Sequence, residues 1–256
     1  MTKKTARVST DSFLNFMTKE AKYSPSGNTP RISPRDSASL IILDKSNRSP
    51  KVLMGRRSPN QRFMPGKFVF PGGSVEPADR RMPVMGALSS RTERALQTCV
   101  SRPSSNRCRA LALSAIRETY EETGIMLGSK DYGAPDAPAD SIWKKFEEAG
   151  VFPDIEQLSF VARAITPPGL LKRFDTRFFI VDRKAIAEEH SGFVGPDEEL
   201  TELVWVPLKE AEDLDTYMIT KTILQELKQR ISGGLSELLP IPFYHVKHRK
   251  AVRELI

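Results

Sequence analysis

The alternation of hydrophobic and polar residues along the chain predicts a sheet built from short strands. Residues 37–44 and 51–57 each fit a strand, and the run 45–50, Lys-Ser-Asn-Arg-Ser-Pro, has the composition of a turn between them. Further strands are predicted at 68–70, 158–165, 174–181 and 201–206.

Hydrophobic residues three and four apart predict helices between these strands. The longest helix starts near Ser105 or Asn106, either of which can cap it, and Gly124 supplies the left-handed position at which it ends. Its buried stripe is formed by Cys108, Leu111, Ala112, Ala115, Ile116 and Thr119. Other helices are predicted at 87–100, 142–149, 208–214 and 219–231. We interpret Trp143 and Trp205 as packing residues. Interleaved strands and helices are typical of an α/β fold.

Three carboxylates gather on one face of the longest helix. At about 3.6 residues per turn, Glu118, Glu121 and Glu122 project within an arc of roughly 100°. Like charges at this spacing repel one another, and a divalent cation, which takes hard oxygen ligands, removes the penalty. Arg117 lies just beyond the arc, away from the buried stripe, where we expect it to pair with and orient a glutamate. A solvated acidic face is the alternative interpretation.

Two separate stretches of the chain together resemble the Nudix box of the Nudix hydrolase family. That pattern has a Gly, five residues, an acidic residue, a spacer of seven, and then Arg-Glu-apolar-any-Glu-Glu-any-Gly-apolar. Residues 70–73, Phe-Pro-Gly-Gly, match its start, and residues 117–125 match its second half. Three features depart from it: Asp79 replaces a Glu, Thr119 replaces an aliphatic residue, and the spacer 80–116 is about thirty residues longer.

This resemblance implies a Nudix-type α/β/α sandwich, in which a mixed sheet lies between helices. It also implies a hydrolase that cleaves the phosphoanhydride of a nucleoside diphosphate linked to another moiety, with Mg²⁺ or Mn²⁺ as the cofactor. Glu118, Glu121 and Glu122 would hold the cation, and the first two would also be catalytic. Gly72 and Gly73 would let the backbone approach the substrate closely.

The general base is left open by the sequence. It is either Glu121 itself or a carboxylate of the acidic loop 197–199, in which we favour Glu198 or Glu199. Acidic residues just before a strand are also ordinary solvated turns.

The long spacer and the runs 165–168 and 173–179 resemble the branch of the family that contains acyl-coenzyme A diphosphatases. That likeness implies coenzyme A or acyl-CoA as the substrate, giving 3′,5′-ADP and 4′-phosphopantetheine or its acyl form. Arg56, Arg57 and Arg173 would then be candidates to bind the substrate phosphate, since guanidinium groups bind phosphate oxygens in pairs. A solvated strand end is the alternative for the first two.

Composition divides the chain into three parts. Residues 1–35 are rich in Lys, Ser, Thr and Pro and are expected to form a flexible extension with a short helix starting near Ser12. Residues 36–234 form the predicted Nudix domain. Its arginine-rich insertion at about 80–107 suits an anionic ligand, although solvated arginines are the commoner explanation. Residues 235–256 are expected to be a basic tail.

Composition and charge limit the classes of binding partner but do not identify a single one. The chain has 256 residues, 39% of them hydrophobic, and no apolar run long enough to span a bilayer, so we expect a cytoplasmic protein without a membrane partner. Asp11 and Glu20 argue against a targeting leader. Cys99 and Cys108 are expected to be reduced thiols. The net charge of +7 favours an anionic partner, for which a nucleotide diphosphate is the leading candidate.

Two rival functions belong to other classes. A Nudix-fold module could sense a ligand with little catalysis, but the complete set of glutamates argues against this. An RNA 5′-end pyrophosphohydrolase would use the positive charge, but no aromatic stacking platform favours nucleic acid as a partner. Because many relatives dimerise, a homodimer is an alternative to a monomer.

Overall fold

The computed structural model describes residues 10–22, 32–61, 64–170 and 172–256. Their strands are β1 Arg35–Asp44, β2 Lys51–Arg57, β3 Phe68–Val69, β4 Gly72–Ser74, β5 Ile125–Leu127, β6 Ser159–Ile165, β7 Phe174–Asp182, β8 Ile186–Glu189, β9 Leu200–Pro207, β10 Pro242–Lys247 and β11 Lys250–Leu255. Their helices are α1 Thr10–Lys22, α2 Ser90–Gln97, α3 Ser105–Thr123, α4 Lys144–Glu148 and α5 Met218–Ser232.

Nine of the described strands form one mixed sheet. Its order is β11-β10-β6-β7-β1-β2-β3, with β4 paired to β1 and β9 paired to β2. The β1–β7 and β6–β10 pairs are parallel, and the other pairs are antiparallel. β5 and β8 form a separate two-stranded sheet. The expected α/β class with a mixed sheet is confirmed.

Helices cover both faces of the large sheet, because alternate residues of its central strand are buried on opposite sides. Leu40 and Ile42 of β1 belong to the hydrophobic core beneath α2, α3 and α4. Ile41 and Leu43 belong to a second core beneath α1 and α5. The result is a sandwich with the sheet as its middle layer.

The ends of α3 are set by two short-range signals. Ser104 is the N-cap, and its hydroxyl accepts a hydrogen bond from the Arg107 N–H at 3.2 Å, so the cap lies one residue before the predicted Ser105. Gly124 ends the helix in the left-handed conformation, with φ of 74°. The predicted end is therefore confirmed. The helix carries its glutamates in its last two turns, beside β4.

Both chain termini depart from the expected appendages. Helix α1 starts at Thr10 rather than near Ser12, and it buries Phe13 and Met17 against the second core. The rest of the expected extension, apart from 32–35, lies outside the described residues. The expected basic tail contains β10 and β11, and Tyr244 of this hairpin is fully buried with its ring 5.4 Å from Phe13. Because the hairpin also carries exposed basic residues, the composition of this segment did not indicate that some of its positions are buried.

Several shorter elements also differ from prediction. The insertion contains α2, which is shorter than the predicted 87–100, and the predicted helix 208–214 is only a single 3₁₀ turn at Ala211–Asp213. Strands β4, β5 and β8 were not predicted. Among the described helices none is long and apolar enough to cross a membrane.

Candidate active site

The Gly-Gly segment and the glutamate helix meet at the centre of the sheet. Gly72 and Gly73 are part of β4, opposite Ser39 and Ala38 of β1, so the expected turn is also a strand pairing. A Cβ added to Gly73 would fall closer than 3.0 Å to the Glu118 carboxylate. The absence of a side chain at position 73 therefore makes the space that this carboxylate occupies.

Arg117 connects the two halves of the motif. Its guanidinium is 1% exposed and donates from Nε to Asp79 Oδ1 at 2.9 Å and from Nη1 to Glu121 Oε2 at 2.6 Å. Nη2 lies 2.9 Å from Glu118 Oε1 and donates to the carbonyl of Ser74 at 2.7 Å. The expected pairing with a glutamate is confirmed. Arg117 is buried on the side of the helix away from the predicted stripe, because Asp79 and the carbonyl of Ser74 contact it there.

Burial makes the ionised form of all three glutamates costly. It raises the pKa of Glu118 to about 7, against the opposing effect of Arg117. It also raises the pKa of Glu121, whose neighbours Glu76 and Asp79 add to the shift. The pKa of Glu122 is raised well above its ordinary value by burial first, and then by Glu199 and Glu118. A cluster with these properties favours a bound positive charge.

Glu122 is the deepest of the three carboxylates. It is 5% exposed and accepts a hydrogen bond from the Gly72 N–H, while its Oε2 is buried without a hydrogen-bond partner among the described residues. Such an orphaned oxygen is costly unless a donor or cation reaches it.

The chemical nature of these side chains suits a divalent cation. They offer hard oxygen donors, raised pKa values and one unpaired buried oxygen. They are not preassembled, since the described part of the chain contains no group of three or more His, Cys, Asp or Glu side chains already arranged around one metal position. Glu118 and Glu121 are instead held by Arg117.

Glu199 and Arg57 lie close enough to Glu122 to influence its ionisation. The Glu199 carboxylate lies 2.8 Å from Arg57 Nη2, and both side chains act on the pKa of Glu122. Glu198 is exposed, and no described side-chain contact connects it with the three glutamates. Of the two loop carboxylates considered as a base, the structure brings Glu199 to the site.

The other two candidate arginines lie elsewhere. Arg56 points to the opposite face of β2 from Arg57, where it lies 3.3 Å from Glu202 and over the ring of Phe68. Arg173 donates to the backbone carbonyls of Ile32 and Thr166, at 2.8 and 3.1 Å. It stands four residues before Arg177, the register partner of Ala38, which is roughly 13 Å along the strand. The structure does not bring Arg173 to the glutamates.

Two features of this region were not found from the sequence. The indole Nε1–H of Trp143 donates to Asp79 Oδ1 at 3.1 Å, so this residue does more than pack. A cavity of about 330 Å³ opens beside Thr123, the neighbour of Glu122, and its lining includes Phe193 and Trp205. Trp205 is only partly buried, and Arg183 lies over its ring at 4.8 Å. The sequence around each of these residues does not indicate such contacts, because the contacts join residues far apart in the chain.

Comparison with known proteins supports the resemblance. No family model matches the chain. Putative nudix hydrolase 7 of Caenorhabditis elegans is 24% identical over 188 residues, which cover 70% of this chain and 53% of that protein, so the chain spans about half the length of this curated relative. The crystal structure of a Nudix hydrolase from Alicyclobacillus acidocaldarius superposes with a TM-score of 0.52 and 26% identity, over 75% of this chain and 90% of that one. The Nudix domain of Shewanella oneidensis NrtR, solved with ADP ribose, gives a TM-score of 0.43 and 11% identity, over 82% and 95% of the two chains.

Proposed function

We propose that this chain, which has the Nudix fold and is similar in sequence to Nudix hydrolases, hydrolyses a phosphoanhydride bond in a nucleoside diphosphate linked to another moiety. The observation that carries the proposal is the trio Glu118, Glu121 and Glu122, half-buried or buried against the Gly-Gly segment with raised pKa values. Nudix hydrolases generally use divalent cations, and we propose Mg²⁺ or Mn²⁺ here.

The residues have distinct proposed roles. Glu118, Glu121 and Glu122 would hold the cation, which when bound neutralises the diphosphate and lowers the pKa of a coordinated water. Arg117 orients two of these carboxylates through its direct contacts. Arg57, which lies at the same site, is the arginine best placed to contact a substrate phosphate.

Glu199 is the proposed general base. Its side chain is 46% exposed, so it can reach both water and the site, and it lies close enough to Glu122 to affect its pKa. Glu121 is the alternative. Both carboxylates are paired with an arginine, but Glu121 is less exposed than Glu199 and is already a proposed ligand of the cation. We therefore expect Glu199→Gln to lower kcat by about 10²-fold or more, the usual contribution of a general base. The matched control is Glu198→Gln, which should stay within twofold. Equal effects in the two variants would exclude Glu199 as the base.

The substrate is proposed more narrowly as coenzyme A or acyl-CoA. The long insertion and the position of Arg57 support this assignment, whereas Arg173 does not, because its guanidinium is engaged by backbone carbonyls away from the site. The cavity beside Thr123 is lined by both polar and apolar side chains, and its apolar part offers space for a portion of the substrate that carries no phosphate. Cytoplasmic location and a homodimer stay predictions from the sequence.

A single assay tests the reaction class and the substrate. The purified protein is incubated with Mg²⁺ or Mn²⁺ and coenzyme A, ADP-ribose, NADH or capped RNA, and the products are separated by chromatography. We expect cation-dependent cleavage of a small diphosphate, with turnover lost in Glu121→Gln while thermal unfolding remains cooperative. No turnover of any of the four compounds would contradict the proposed function and favour a sensing module, and cleavage of capped RNA alone would favour the RNA-directed alternative.

A further inference from the structure

We infer that Trp143 is a positioning residue for the cation site, acting through Asp79 and Arg117 on Glu118 and Glu121. The inference rests on the proposed function, because it concerns the same carboxylates. Trp143 lies outside both halves of the motif, 64 residues after Asp79, and precedes the short helix α4.

The contacts form one continuous chain. Trp143 Nε1 donates to Asp79 Oδ1 at 3.1 Å, and Arg117 Nε donates to the same oxygen at 2.9 Å. The other oxygen of Asp79 accepts from the Glu76 N–H at 2.8 Å and from Arg117 Nη2 at 3.3 Å. Arg117 then contacts Glu121 at 2.6 Å and Glu118 at 2.9 Å. Trp143 and Asp79 are both 0% exposed, so no water replaces a missing donor without rearrangement.

The geometry of this chain explains why the indole N–H matters. A carboxylate accepting two hydrogen bonds on each oxygen has its plane fixed, and that plane sets the orientation of the guanidinium that pairs with it. The guanidinium is rigid and planar, so its orientation decides where its remaining N–H groups meet Glu118 and Glu121. If the indole donor is removed, Asp79 keeps three of its four hydrogen bonds and can rotate, and the two glutamates lose their fixed positions.

The Trp143 ring is itself held by aromatic packing. Its centre lies 4.9 Å from that of Phe146 in α4, and Phe146 lies 5.3 Å from Tyr120 in α3. The donor is therefore anchored to the same helix that carries the glutamates, which allows it to fix their supporting network rather than move with a loop.

The test compares Trp143→Phe with the control variant Tyr120→Phe. The first keeps an aromatic ring but removes the indole N–H that reaches Asp79, and the second keeps the ring of the same aromatic cluster but removes a hydroxyl that contacts His190. Mn²⁺ affinity is measured by electron paramagnetic resonance, and thermal unfolding is followed in parallel. We expect both variants to unfold at lower temperature, and only Trp143→Phe to weaken Mn²⁺ binding, by about tenfold, as is usual for residues that support metal ligands. Unchanged affinity in Trp143→Phe, or an equal loss in both variants, overturns the inference.

A second measurement needs no substitution. The chain has two tryptophans, so the indole N–H signals of Trp143 and Trp205 are separable in a ¹⁵N-labelled sample. Addition of Mg²⁺ should shift the Trp143 signal, while Trp205, which has no contact with Asp79 or Arg117 among those described, serves as the reference. A Trp143 signal that does not move although Mg²⁺ binds overturns the inference even if Trp143→Phe fails to fold. If the wild-type protein neither binds Mn²⁺ nor turns over any diphosphate, the proposed function itself is overturned.

Discussion

Substitution of Gly73 by alanine should separate catalysis from folding at this site. The new Cβ would overlap the Glu118 carboxylate, the flexible end of a long side chain. Gly73 does not have a positive φ, so alanine can adopt its backbone conformation. The overlap is therefore relieved by movement of the carboxylate rather than of the backbone.

The size of that movement sets the expected loss of activity. To reach an ordinary van der Waals distance of 3.4 Å from the new Cβ, the carboxylate must move by about 1 Å. A misplacement of about 1 Å can cost roughly 10²-fold in rate, which corresponds to about 2.7 kcal/mol in the activation free energy. The free energy of unfolding should change by less than about 1 kcal/mol, because alanine at a compatible position also restricts the unfolded chain.

Two other glycines provide the controls. In Gly72→Ala the Cβ would lie 2.6 Å from the Cα of Ser39 in the central strand, which cannot swing away, so the free energy of unfolding should fall by about 1–3 kcal/mol. In Gly195→Ala the nearest atom is 3.9 Å away, and neither activity nor stability should change. The assays are kcat/KM for the cleaved diphosphate, Mn²⁺ affinity and urea denaturation. Wild-type kcat/KM and Mn²⁺ affinity in Gly73→Ala would refute the claim that this glycine makes room for Glu118.

Three further predictions follow from buried charge and from the sheet. Glu122→Gln removes a buried carboxylate with an unpaired oxygen, so it should raise the free energy of unfolding of the metal-free protein by about 1 kcal/mol. It should also abolish the stabilisation by Mg²⁺ that urea denaturation measures. A metal-free variant less stable than the metal-free wild type would contradict this. Burial opposes ionisation of Asp36, but Arg107 and Arg177 lower its pKa, so its contribution to stability is present above the ordinary pKa of 3.8 and is lost as pH falls through the lowered value. Asp36→Asn should therefore lose less stability than the wild type on acidification below pH 3.8, as measured by urea denaturation at several pH values; equal acid sensitivity would count against the ion pairs. Deletion of residues 241–256 should abolish cooperative thermal unfolding, measured by circular dichroism, because it removes two strands and the buried Tyr244; an unchanged midpoint would show that the hairpin is an appendage.

The sequence was most informative where burial repeats regularly along one element. The strands β1, β2, β6, β7 and β9 lie within two residues of their predicted ends, because each carries consecutive or alternating apolar residues between turn residues. The position of Gly124 likewise fixed the end of α3, since only glycine adopts the left-handed cap without strain. The shared face of the glutamates followed from helical geometry alone.

Tertiary contacts explain what the sequence did not reveal. The Gly-Gly segment has no strand propensity and becomes β4 only because β1 offers an edge beside it. Strands β10 and β11 end the sheet. Their exposed charged residues made this segment resemble a polar tail in the sequence, although Phe243 and Tyr244 are buried. The position of Glu199, rather than Glu198, near Glu122 and the position of Arg173 away from the glutamates depend on contacts between elements, which residue spacing does not encode.

The long insertion is compatible with an intact motif. Lengthening a flexible connection from seven to 37 residues raises its closure cost by only about 1.5 kcal/mol, since that cost grows with the logarithm of length. Hydrogen bonds also hold this connection to the sheet. Arg107 pairs with both oxygens of Asp36 at 2.7 Å, and Arg163 of β6 donates to the carbonyl of Thr98 just after α2 at 3.0 Å. Arg107, one of the arginines that suggested an anionic ligand for the insertion, therefore ties it to the sheet. The two halves of the site are joined independently of the insertion by the buried Asp79–Arg117 ion pair, which is why a connection of this length is compatible with an intact cluster of glutamates.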